Sequence, residues 1–102
     1  MTENDLLLQI IDLAHIYGWQ VVHFRPALTS KGWRTPVQAD GKGFPDLIML
    51  NGKEMIVAEV KSDKGKVSLE QDTWLDAFRE VGAETFVWRP KDWEAIQERL
   101  TK

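Results

Sequence analysis

Residues 43–61, GFPDLIMLNGKEMIVAEVK, decide the fold. Asp46–Leu50 and Glu54–Lys61 are short runs of large aliphatic and β-branched side chains, which reads as two strands. Asn51-Gly52 lies between them, the strongest short-range signal for a hairpin. Taken as a two-residue turn, it pairs Leu50 with Lys53, and Asp46 then faces Val57. Side chains alternate in direction along a strand, so facing residues share one side of the sheet. Asp46, Glu59 and Lys61 therefore project from one face, at one end of the hairpin. Asp46 and Glu59 become diagonal neighbours, roughly 5–8 Å apart at the backbone. Two carboxylates at that separation can share a divalent cation. Leu47, Met49, Ile56, Ala58 and Val60 form the opposite face, which is wholly apolar. Ile48, Leu50 and Val57 keep the first face apolar away from its charged end, so the sheet is expected to be buried on both sides.

The turn carries this reading, because a three-residue turn without a bulge would put Asp46 and Glu59 on opposite faces. Each residue also has a plain explanation. Glu59 and Lys61 suit an edge strand that discourages aggregation, and Asp46 after Pro45 suits a turn. Taken together the plain explanations lose ground. Two carboxylates and a lysine beside a core are costly unless they are paired or bound to metal.

Working outward, Leu6, Ile10, Leu13 and Tyr17 recur at helical spacing, with Thr2 and Asp5 as a capping box and Gly18 as the stop. Trp19–Arg25 reads as a strand. Pro26–Phe44 reads as a long loop, rich in Gly, Pro, Ser and Lys, of a length that is often functional. After the hairpin, Ser68 and Gln71 make a second capping box for a helix that ends at Gly82. Glu84–Arg89 is a short strand, and Pro90 opens a last helix ending near Leu100. The order α-β-(loop)-β-β-α-β-α describes an α/β domain with a central mixed sheet flanked by helices. One domain spanning 1–102 is expected at this length.

Composition narrows the classes. Hydrophobic residues make up 43%, enough for a core. No apolar run is long enough for a membrane span, and Thr2–Asp5 is polar and acidic where a signal peptide would be basic. The absence of cysteine excludes disulfides and thiolate metal sites, and suits the cytoplasm. The net charge of −3 hides an asymmetry: Val21–Val67 holds eight Lys/Arg and five Asp/Glu, while the ends are acidic. Such a basic middle can meet a phosphate backbone, and solvated acidic helices explain the ends. Trp33, between Lys31 and Arg34 in the long loop, is the one tryptophan of five with a setting suited to nucleic acid; the others read as core. Glu3 lies on the Leu7 and Ile10 side of the first helix, and so either points toward the carboxylates or serves the helix dipole. His15 and His23 have no metal-ligand spacing.

Gly43-Phe44-Pro45-Asp46-Leu47, Glu59-Val60-Lys61-Ser62 and Leu69-Glu70-Gln71, in that order, resemble the VRR-NUC nucleases of the PD-(D/E)XK, or restriction-endonuclease-like, superfamily. The likeness runs from Glu3 to about Trp93 and includes the Val87-Trp88-Arg89-Pro90 end of the last strand. The resemblance implies a restriction-endonuclease-like fold and a metal-dependent DNA endonuclease leaving 5′-phosphate ends. It implies that Asp46, Glu59, the Val60 carbonyl and Glu3 hold Mg²⁺ or Mn²⁺. Lys61 would orient or deprotonate the attacking water, with Gln71 in support. Lys31, Arg34, Lys42, Lys64 and Lys66 are the expected backbone contacts. Stand-alone members are similar to phage and archaeal Holliday-junction resolvases, which implies a homodimer on branched DNA; the source is open between phage, prophage and host, with small size leaning toward phage, and a recombination or repair protein is the candidate partner. Two other classes compete. One is a DNA-binding or assembly module with an inactive or partner-dependent site. The other is an unrelated α/β enzyme such as a small phosphotransferase, ranked last because the chain has neither a phosphate loop nor a nucleophile elbow.

Overall fold

The computed structural model describes residues 1–24 and 39–102 and, between them, the backbone pairing of two three-residue strands. Helix α1 (Glu3–Ile16) starts where expected. Thr2 Oγ1 accepts from the Asp5 N–H at 3.1 Å and Asp5 Oδ2 accepts from the Thr2 N–H at 3.0 Å, closing the capping box. Gly18, at φ +85°, turns the chain into strand β1 (Gln20–His23). Strands β2 (Ala27–Thr29) and β3 (Gly32–Arg34) pair antiparallel inside the segment read from sequence as loop. Three-residue strands in a Gly- and Ser-containing stretch fall below the run length from which a strand can be read.

Next come β4 (Leu47–Asn51), β5 (Glu54–Val60), α2 (Leu69–Glu80), β6 (Glu84–Trp88), a 3-10 turn (Pro90–Asp92) and α3 (Trp93–Leu100). The main sheet runs β1-β4-β5-β6, with the first two pairings antiparallel and β5–β6 parallel through the α2 crossover. This is the expected mixed α/β sheet flanked by helices. Among the described residues no helix is long and apolar enough to cross a membrane.

Alternation along the strands sorts the side chains into two layers. Leu47, Met49, Ile56, Ala58 and Val60 pack against Leu6 and Ile10 of α1 and Ile96 and Leu100 of α3, all nearly or fully buried. On the other face Val57 packs with Leu75 and Phe78 of α2 and with Ala83. That second layer covers only the β5–β6 half of the face. Val22 and Leu50, on the β1–β4 half, are 51% and 43% exposed, so the sheet is not buried on both sides throughout. The end of the sheet with the hairpin turn is tied down by Arg99. Its guanidinium donates to Glu84 at 2.8 and 3.0 Å and to Glu54 at 2.8 Å, and lies 5.4 Å from the Trp19 ring centroid.

The segment entering β4 is fixed against α2. Phe44 makes edge contacts with Phe24, Trp74 and Phe78, centroids 5.2, 5.1 and 5.9 Å away. Trp74 Nε1 donates to the Asp40 carbonyl at 3.0 Å. Gly43 has φ +79°, and a Cβ there would stand 2.7 Å from Glu70 Cβ and 2.8 Å from the Gln71 backbone N. No side chain fits between this loop and the first turn of α2. Gly43→Ala is therefore expected to cost about 2–4 kcal/mol, combining left-handed strain with forced separation of loop and helix. Urea melts check this; a loss under about 0.5 kcal/mol would mean that the close approach is not a constraint.

Candidate active site

The β4–β5 register differs from the one read from the turn. Leu50 pairs with Met55 and Asn51 with Glu54, so the two-residue loop is Gly52-Lys53. Gly52 has φ +61°, and neither Asn51 nor Lys53 has a positive φ. A type I′ turn on Asn51-Gly52 would need positive φ at both. Glycine at the first central position alone is the type II′ pattern. The slip is two residues, so every side chain keeps its face. Its consequence is at the other end. Leu47 pairs with Ala58, and one step further Asp46 stands opposite Glu59 rather than diagonal to it.

Asp46 is held from three sides. Pro45 before it is buried. Its carbonyl accepts from the Phe24 N–H at 3.2 Å, which joins it to the chain leaving β1. Its Oδ2 accepts from the Val60 N–H at 2.8 Å. That bond spans the hairpin and fixes the Val60 peptide beside both carboxylates.

Glu59 is the one charged side chain in the core of the described residues, 2% exposed, and its Oε2 has no hydrogen-bond partner. Burial pushes its carboxyl up to about 9, helped by the hydrogen bond and charge of Asp46 and by the charge of Glu3; the Lys61 ammonium acts in the opposite direction. Without a cation the pair therefore retains a proton near neutral pH. A buried carboxylate oxygen without a partner, beside a second carboxylate, is a donor set suited to a hard divalent cation. Among the described residues no third His, Cys, Asp or Glu joins them. Any further ligands would be backbone oxygen, such as the Val60 carbonyl, or water.

The other sequence candidates fall at varied distances from this pair. Lys61 is half-buried just past β5; its N–H donates to the Trp88 carbonyl at 2.9 Å. Gln71 sits at the third position of α2, where its Oε1 accepts from the Ser68 N–H at 2.9 Å. The capping role is thus real, and the Gln71 amide nitrogen remains for other work. Glu3 is exposed in the first turn of α1 and reaches Glu59 by its charge. Lys42 is exposed and ion-paired with Glu70 at 3.1 Å. Lys64 and Lys66 are exposed. Lys31 and the side chains of Trp33 and Arg34 lie outside the described residues.

Arg89 enters the sequence reading only as part of the motif closing the last strand, with no role of its own. Its Nη1 donates to the carbonyls of Ser62 and Gly65, both at 2.7 Å, with a longer approach to Asp63 O at 3.5 Å. The Asp92 carboxylate accepts from the Arg89 N–H at 2.9 Å. Arg89-Pro90-x-Asp92 is legible as a turn that opens a helix, but no sequence pattern tells which carbonyls an arginine will reach.

The sign of the Glu59 shift gives a test. A carboxyl whose pKa rises on folding, here from 4.5 to about 9, contributes most stability below pH 4.5 and loses it as pH rises toward 9. In EDTA, Glu59→Gln is expected to be more stable than the wild-type chain at pH 8, by about 1–3 kcal/mol. The gap should shrink at pH 5. Urea melts at the two pH values measure it, and a variant less stable at pH 8 would show that the buried carboxylate is not a cost.

The geometry can be set beside known proteins. No curated protein and no solved structure matches the chain. The family model described as the VRR-NUC domain matches residues 14–92. That span includes Asp46, Glu59, Lys61, Gln71 and Arg89, and leaves out Glu3. With most of its length matched, the chain belongs to the VRR-NUC family of PD-(D/E)XK-like nuclease domains.

Proposed function

We propose that residues 1–102 act as one metal-dependent DNA endonuclease domain with Asp46 and Glu59 at its centre. The observation that carries this is Glu59: buried, opposite Asp46, with an unpartnered Oε2. In this reading the two carboxylates and the Val60 carbonyl hold Mg²⁺ or Mn²⁺, and Glu3 joins through water. The cation supplies positive charge that lowers the pKa of water and offsets the charge building on the phosphate. Lys61 directs its ammonium at the same place, orienting the attacking water and countering charge on the phosphoryl oxygens. Gln71 donates from its amide nitrogen, while its carbonyl oxygen accepts from Ser68. Water would add to phosphorus as it gives up a proton, the bond to the 3′ oxygen would break as that oxygen takes up a proton, and the products would be a 5′-phosphate and a 3′-hydroxyl.

The substrate proposed is branched DNA such as a Holliday junction, cut by a homodimer whose two-fold axis gives each strand its own site. Lys31, Arg34, Lys42, Lys64 and Lys66 contact the backbone, with Lys42 exchanging Glu70 for phosphate. A recombination or repair protein is the natural guide, and the cytoplasm the natural compartment.

Labelled duplex, single-stranded, flap and four-way junction DNA, incubated with Mg²⁺, Mn²⁺ or EDTA, tests the proposal. Cleavage is expected with metal, fastest on the junction, and is expected to fall at least ~10²-fold in Asp46→Asn and in Lys61→Ala. Binding of DNA without cleavage by a folded, metal-loaded chain would instead identify a binding or assembly module.

A further inference from the structure

We infer that Arg89 is a phosphate-binding residue of the site, a second cation beside Lys61; the inference rests on the DNA-nuclease reading above.

Arg89 follows Trp88, whose carbonyl accepts from the Lys61 N–H. Val60 pairs with Trp88 in the parallel register, so Lys61 and Arg89 leave adjacent strands side by side. They are on the Glu59 and Val87 face, two positions on from that pair. Both then meet the same turn. The Gly65 N–H donates to the Ser62 carbonyl at 3.2 Å, closing it. A Cβ on Gly65 would stand 3.4 Å from Lys61 Cδ, so the turn packs under the lysine stem. Arg89 Nη1 holds the same turn through Ser62 O and Gly65 O. The two cations are thus anchored around a single small turn.

The hydrogen-bond inventory shows what remains. A guanidinium has five N–H donors in a rigid planar fork. Nη1 uses its two on the turn. Among the described residues no partner meets Nε or Nη2, and no carboxylate pairs with the guanidinium. The Nε–Nη2 edge is the one that binds phosphate oxygens in a bidentate manner. Arg89 is only half-buried, so that edge can be reached. An arginine fixed by one nitrogen presents the remaining edge with little left to lose in side-chain entropy. The ligand class is a phosphodiester of the bound strand.

The test is steady-state cleavage of junction DNA over a series of salt concentrations, by wild type, Arg89→Gln and Arg89→Lys. Arg89→Gln removes the charge and keeps a neutral polar side chain. Its KM is expected to rise about tenfold with kcat within about threefold. The slope of log KM against log salt should fall by about one, the signature of a single lost phosphate contact. Arg89→Lys should recover the slope and only part of the affinity. Unchanged KM and slope in a folded Arg89→Gln would overturn the inference and leave the nuclease reading standing. No cleavage by wild type would overturn that reading, and this one with it. If Arg89→Gln does not fold, the Arg89 Nε–Hε resonance of the wild-type chain decides. It should shift as a short duplex is added in EDTA; no shift at saturation counts against the contact.

Discussion

Opposite each other at the open end of the β4–β5 hairpin stand Asp46 and Glu59, and the rest of the molecule can be understood as the means of holding them there. Two carboxyls at that spacing, one of them buried, cannot both ionise without mutual repulsion and loss of hydration. Several contacts resist that tendency. The Val60 N–H grips Asp46, and the Phe24 N–H grips its carbonyl. Gly43 and Phe44 press the incoming segment on to α2. The apolar layer under α1 and α3 anchors Ala58 and Val60 on either side of Glu59. None of these contacts offers Glu59 Oε2 a proton donor. Among the described residues the buried side-chain polar atoms without a partner are Glu59 Oε2 and Thr85 Oγ1, and an open carboxyl oxygen is what a cation site requires before its ion arrives.

The two ends of the sheet make the point by contrast. At the turn end, Glu54 and Glu84 also bring negative charge together, and there Arg99 answers both with charge-assisted hydrogen bonds at 2.8–3.0 Å. At the other end Lys61 bears on Glu59 through space without a direct bond. One fold thus answers a carboxylate pair with a bonded guanidinium where only stability is at stake, and leaves a pair without a directly bonded cationic side chain among the described residues where chemistry is expected. The stability conceded at the site is a familiar signature of function.

Much of this was legible in the residues. The capping boxes at Thr2 and Ser68, the stop at Gly18 and the apolar face of the hairpin all follow from local rules that the structure obeys. The pairing of Asp46 with Glu59 on one face was legible for a less secure reason. The Asn51-Gly52 signal places the turn one residue too early, and an error of two in the register preserves alternation; an error of one would separate them. The β2–β3 hairpin was not legible, since strands of three residues carry too little periodicity to register. Arg89 was not legible either, because its partners are backbone carbonyls with no residue identity to read. Nor could the sequence show that α2 leaves Val22 and Leu50 exposed. Alternation tells which residues share a face, not whether a helix arrives to cover it.

The most direct test of the central claim is calorimetric titration of Mn²⁺ into the cation-free chain near pH 7, in two buffers of different ionisation enthalpy, beside Asp46→Asn and Glu59→Gln. The account expects one saturable ion per chain, release of protons on binding, and loss of both in either variant. Binding that persists undiminished in both variants, or no binding by the folded wild-type chain, would contradict the assignment of Asp46 and Glu59 as a metal site.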